Sequence, residues 1–390
     1  MAAAILLFSG VYSCIEPDDE PVNGSKEEQV NDPDEEQVND PNEEPNGNDI
    51  GTGMSLLDDA DDPTGVLLDV KLTSAQWTKL TGSNTFYAEL RTLSDSIYTR
   101  FEDNFDFIFF VLNTAKDDAI INALGFYGVN MNVSNAVTGL GLSTFKDPRW
   151  GSADKLKSVM FFPFADAIKN GPTLHELCHN WGANIVPTWD AEGKSYSSHW
   201  GISNAGGQLG GFKYVRNVSG NLYQASFRSD ETNADGSFKY GGFGENANGG
   251  NGLPYSDIEL YIMGMKSAQD LRDGSFRLDI YSGNSCNRDG DPSFWEGYFT
   301  STTVTSYTID KLIELKGARV PDASTSQKNF RILTVSLTPP SGTNYHSDII
   351  AAMNWLSGET PAIAGIYNFS QATGGIGSLT VDRIKNSLKQ

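Results

Sequence analysis

The residues with the most evident chemistry are His175, Glu176 and His179, in the run TLHELCHNWG from Thr173 to Gly182. Two histidines four apart on a helix lie one turn above each other on a single face, so both imidazoles reach one ion at about 2.0–2.1 Å. Glu176 projects beside them, placed to take a proton from a water that the ion activates rather than to bind the ion itself. A catalytic zinc needs a third protein ligand and an open position. His199, in SSHWG, is the nearest downstream histidine, and neutral imidazole suits zinc. Asp190, Glu192, Asp257 and Glu259 are the carboxylate alternatives. The remaining histidine, His346 beside Tyr345, reads as a surface or substrate-side residue. Cys178, inside the motif, reads as a small side chain on a packing face and not as a ligand.

The chemistry such a site supports is hydrolysis. The ion lowers the pKa of a water and polarises a carbonyl, while Glu176 takes the proton and returns it to the leaving amine. Tyr261, Tyr196 and Tyr255 are the candidates for stabilising a developing oxyanion.

Elements that could hold these residues follow from the hydrophobic pattern. GVLLDVKL reads as a strand, Thr85 to Phe101 as an amphipathic helix, and Phe105 to Asn113, apolar on both parities, as a buried strand. GFYGVNMNV and LKSVMFF continue the sheet. The motif helix follows Gly171-Pro172, with Thr173 as N-cap and Gly182 where the helix ends. Strands leading into a metal-bearing helix are the order of a zincin-like α+β domain, a mixed sheet packed on the HExxH helix. Glycine-rich stretches at Gly201 to Gly211 and Gly241 to Gly252 read as loops near a cleft.

Composition sets the frame. The 390 residues carry a formal charge of −22, but eighteen Asp or Glu against the single Lys26 lie between Glu16 and Asp62. The body is therefore only mildly acidic. It has no basic stripe to neutralise phosphates, which argues against nucleic-acid binding. The short apolar run at residues 2–8, followed by VYSC ending at Cys14, reads as a signal peptide over residues 1–14, with Cys14 resembling the lipidated cysteine of a bacterial lipobox. The repeat EEQVNDPD, EEQVNDPN, EEPNGNDI cannot bury a core, so residues 15–62 read as an extended, self-repelling tether. Residues 63–390 form the expected catalytic domain, with a C-terminal subdomain from about residue 300. The chain is expected to be a monomer touching a membrane only through its lipid. This places it at the outer membrane or cell surface of a Gram-negative bacterium, or makes it fully secreted. Cys178 and Cys286 are too few for a disulfide framework.

HELCHNWG, SHWGISNAGGQLGGF and YSDIELYIMGM, in that order, resemble a group of bacterial secreted zincin-like metalloproteases, related to metzincins, in which HExxH, HWG and ELYxMG segments recur together. RVPDASTSQKNFRILTVSL and ATGGIGSLTVDR resemble later parts of that family, so the resemblance spans roughly Phe105 to the C-terminus. It implies one catalytic Zn2+ held by His175, His179 and His199, with Glu176 as base. The chain departs from the long metzincin pattern, which would place a histidine where Ile185 stands. Met263 resembles the methionine of a metzincin Met-turn, although Met265 takes the place of the tyrosine that follows it there. The same IELYIMGM run also reads as an amphipathic helix with Ile258, Tyr261, Ile262 and Met265 packed inward. The expected function is a zinc-dependent endopeptidase acting on polypeptides. The alternatives are a lipid-anchored adhesin or glycan-binding protein with a structural or vestigial zinc, and a zinc hydrolase of another amide or ester. Glu176 favours an enzyme, because a structural site has no use for a general base.

Overall fold

A computed structural model describes residues 49–51, 53–57, 62–182, 185–190, 193–196, 198–227, 229–240, 250–286, 296–381 and 383–389. The expected signal segment with Cys14, the acidic repeat up to residue 48, and Glu192 lie outside the described residues.

The chain enters through β1 (Asp49–Gly51), β2 (Met54–Leu56) and β3 (Leu67–Lys71), followed by α1 (Ser74–Leu80) and α2 (Phe86–Arg100). The span 15–62 expected as a tether thus includes the strands β1 and β2. β2 pairs antiparallel with β3, Met54 is buried, and the buried carboxylate of Asp62 accepts from the backbone of Thr64, Gly65 and Leu67. An apolar side chain to bury and a satisfied turn outweigh the acidic surroundings. Next come β4 (Phe107–Leu112), α3 (Asp118–Leu124), β5 (Val129–Asn132), the small hairpin β6 (Ser134–Asn135) and β7 (Phe145–Lys146), and β8 (Ser158–Phe162). α4 (Ala167–Asn170) and α5 (Thr173–His179) follow, α5 being the motif helix.

The strand order is β1-β2-β3-β13-β4-β8-β5, where β13 is Asn329–Thr338; β14 (Ser378–Thr380) also pairs with β13. The centre is parallel and both edges are antiparallel. β4 is buried at every position because the sheet is covered on both faces: Ile108, Phe110 and Leu112 pack with Leu90, Leu93 and Ile97 of α2, whereas Phe107, Phe109 and Val111 face the side of α5. This explains the apolar run on both parities. β13, from beyond residue 300, lies between β3 and β4. The chain expected as a C-terminal subdomain thus supplies a strand to the middle of the main sheet, buried from Ile332 to Thr338 and paired on both edges.

A second, antiparallel sheet has the order β11-β12-β10-β9, from β9 (Tyr214–Ser219), β10 (Leu222–Ser226), β11 (Leu278–Ser285) and β12 (Tyr298–Tyr307). The other helices are α6 (Asp257–Ile262), α7 (Ala268–Asp273), α8 (Ile309–Lys316), α9 (His346–Ser357) and α10 (Phe369–Ala372). The whole is a mixed helix-and-sheet architecture, compatible with the expected α+β class.

Candidate metal centre

α5 is seven residues long, and its first six are buried. A helix this short is held by its surroundings more than by propensity. Asn251 Oδ1 accepts from Leu174 N at 3.0 Å, and Tyr255 donates its hydroxyl to Leu174 O at 2.8 Å. Thr173 is the first helical residue and not the N-cap, a position Pro172 takes; the Thr173 hydroxyl donates to Ile168 O instead. Trp181 N and Gly182 N both donate to Cys178 O, and Gly182 has φ +70°, the left-handed conformation that closes many helices.

His199 arrives on a loop built to bring it back. Trp189 pairs with Ser195, the Thr188 hydroxyl donates to His199 O at 2.8 Å, and Trp200 N donates to Leu209 O at 2.7 Å. Gly201 has φ +53°, and a Cβ there would lie 2.3 Å from Trp189 O. The second sheet backs this loop: Ser203 bridges to Ile280 of β11, and Ile202 and Phe212 pack with Tyr281 and Phe299.

The three histidines converge. His175 Nε2 lies 3.0 Å from His179 Nε2 and 3.3 Å from His199 Nε2. His175 Nδ1 lies 2.6 Å from the Gln208 carbonyl oxygen, which can only accept. Nδ1 therefore carries the proton, and the Nε2 lone pair points at the other two rings. Burial and the neighbouring His199 push the His175 pKa down to about 3, and burial and His175 hold His179 well below its ordinary value. Neutral imidazoles whose ring nitrogens crowd this closely suit a shared cation. A tetrahedral ion at about 2.0–2.1 Å from each would set them about 3.3 Å apart. Among the described residues this is the group of His, Cys, Asp and Glu that could hold a metal ion.

The carboxylate alternatives sit elsewhere. Asp190 accepts from Lys194 N at 2.8 Å, Asp257 pairs with Lys266 at 2.6 Å, and Glu259 is surrounded by donors away from the imidazoles. Glu176 is 2% exposed and next to His175 in α5. Cys178 is a buried free thiol whose pKa is raised by burial and by Glu259, and the Cys286 thiol lies 3.4 Å from Tyr298 O.

Tyr196 stacks on His199, while the buried Tyr261 accepts Arg319 N at its hydroxyl at 3.3 Å. This places Tyr261 in the support of α6 and not at the imidazoles. Met263 caps α6, is fully buried in the same core as Leu174 and Leu177, and is followed by Gly264 at φ +78°. IELYIMGM thus forms a short helix with Ile258, Tyr261 and Ile262 buried, which ends in a turn at the methionine. His346, expected as a surface or substrate-side residue, is half-buried in a polar cluster. Its Nε2 lies 2.9 Å from Asp69 Oδ1, in the middle of β3, and 2.9 Å from Asn113 Nδ2, just after β4. The residues sequence reasoning did not single out are Gln208 and Asn251, which meet α5 only through the fold.

Scanned against family models, curated proteins and solved structures, the chain matches none.

Proposed function

We propose that the protein is a zinc-dependent endopeptidase of zincin-like design. The observation that carries this reading is three converging imidazoles, His175 and His199 buried and His179 half-buried, with His175 Nε2 3.0 Å from His179 Nε2 and 3.3 Å from His199 Nε2, and Glu176 adjacent on the same helix. A zinc ion held by His175, His179 and His199 would supply Lewis acidity, making a water acidic and polarising a carbonyl. Glu176 holds the proton removed from the attacking water and hands it to the leaving nitrogen. Gln208 O keeps the His175 ring oriented throughout.

A polypeptide substrate is supported by the sheet edge. β5 is the terminal strand of the main sheet, and Asn132 at its end donates to His179 O at 3.3 Å. An extended chain adding to that edge would run past the imidazoles, giving main-chain hydrogen bonds without demanding a particular sequence. We further propose export and anchoring through a lipid on Cys14, with the acidic repeat as spacer.

The test compares wild type with Glu176→Ala on casein or a peptide library. The reading requires that Glu176→Ala keep its zinc while cleavage falls by about 10²–10⁴-fold or more. Zinc binding by wild type without any peptide cleavage would move the assignment to the non-peptide hydrolase or the binding protein.

A further inference from the structure

Glu259 is a fully buried carboxylate that the proposed chemistry does not use. Its Oε1 accepts from Trp200 Nε1 at 3.1 Å and Leu209 N at 2.7 Å, and its Oε2 accepts from Gln208 N at 2.9 Å and Ser256 N at 2.8 Å. Indole and backbone N–H groups only donate, so both oxygens accept, and these four bonds work against burial, which raises the Glu259 pKa. The donors come from two segments besides the α6 N-terminus. Trp200 directly follows His199, and Gln208 carries the carbonyl that receives the His175 Nδ1 proton. The fit has no slack: a Cβ at Gly207 would lie 1.9 Å from Glu259 Oε2.

We propose that Glu259 is a positioning residue of the metal centre, tying the His199 segment and the Gln208 carbonyl to α6 so that His175 presents Nε2 to the ion. The inference rests on the metal-centre reading. The role is not visible from the motif, since the bonds of Glu259 go to Trp200, Gln208, Leu209 and Ser256 and not to an imidazole.

The experiment uses the full chain and two readouts that do not depend on catalysis. Zinc dissociation constants are measured by competition with a chromophoric chelator. The His175 Nδ1–H is followed by NMR of protein labelled with 15N-histidine, where only four histidines contribute. Glu259→Gln keeps the shape but turns an amide NH2 toward two donors. It is expected to weaken zinc binding roughly 10–100-fold and to shift the His175 resonance or expose it to exchange. Should Glu259→Gln not fold, Trp200→Phe removes one donor, and a smaller loss of the same kind is expected. Zinc affinity within about twofold of wild type and an unmoved resonance would overturn the proposal, even with a lowered melting temperature, because that result describes a carboxylate that is structural only. Failure of wild type to bind zinc sinks the metal-centre reading itself, a distinguishable outcome.

Discussion

The ring of Tyr196 stacks on His199 with centroids 4.8 Å apart and planes 20° apart. Of the three tyrosines that could assist an oxyanion, Tyr255 donates to Leu174 O and Tyr261 accepts from Arg319 N, so Tyr196 is the one placed at the imidazoles. If its hydroxyl stabilises developing charge, Tyr196→Phe lowers kcat by about 10²-fold with zinc content unchanged. An unaltered kcat limits Tyr196 to a packing role. At this scale the site was largely legible. Histidine is so scarce in the chain that two at helical spacing and a third downstream singled themselves out. Glu259 was visible only as a ligand candidate, because its partners Trp200, Gln208 and Leu209 lie some fifty residues earlier and meet it only after the loop has folded back.

Among the elements, the buried strands β4 and β8 and the helix α2 follow from pattern alone, since each has a face or a pair of faces that has to be covered. The position of β13 does not follow, because a strand entering the middle of a sheet from two hundred residues away leaves no local signal. One polar cluster joins these parallel strands. Asp69 of β3 accepts from the Thr338 hydroxyl at 2.5 Å and meets His346 at the start of α9. Burial raises the Asp69 pKa, but the bonds from His346 and Thr338 outweigh it, and the carboxyl lies below its ordinary 3.8. A carboxyl lowered on folding stabilises fully above its unfolded value and loses that contribution as pH falls through the folded one. Asp69→Asn should therefore destabilise by about 1–3 kcal/mol at neutral pH, and the difference from wild type should shrink below about pH 4. Denaturant melts of both proteins across acid pH check this; a gap independent of pH would assign the loss to packing.

For the whole molecule, the acidic charge and the body are separate matters. The eighteen acids between Glu16 and Asp62 fall mostly in the repeat, and the sheet begins at Asp49. That strands lie this early could not be read from composition, because β1 and β2 are acidic-flanked segments held by pairing with a neighbour. No described helix is long and apolar enough to cross a membrane. On the proposed anchoring through Cys14, growth with labelled palmitate should mark the wild-type chain and not Cys14→Ala. Equal labelling of both would contradict the anchor. The fold as a whole serves one junction: the main sheet presents α5, the second sheet backs the loop of His199, and α6 joins them through Glu259. The most direct test is the metal content of the purified chain by plasma emission spectroscopy, for wild type and His199→Ala. About one zinc per wild-type chain, retained through dialysis, and little in His199→Ala are expected. Wild type without metal, or His199→Ala with as much as wild type, would contradict the proposed metal centre.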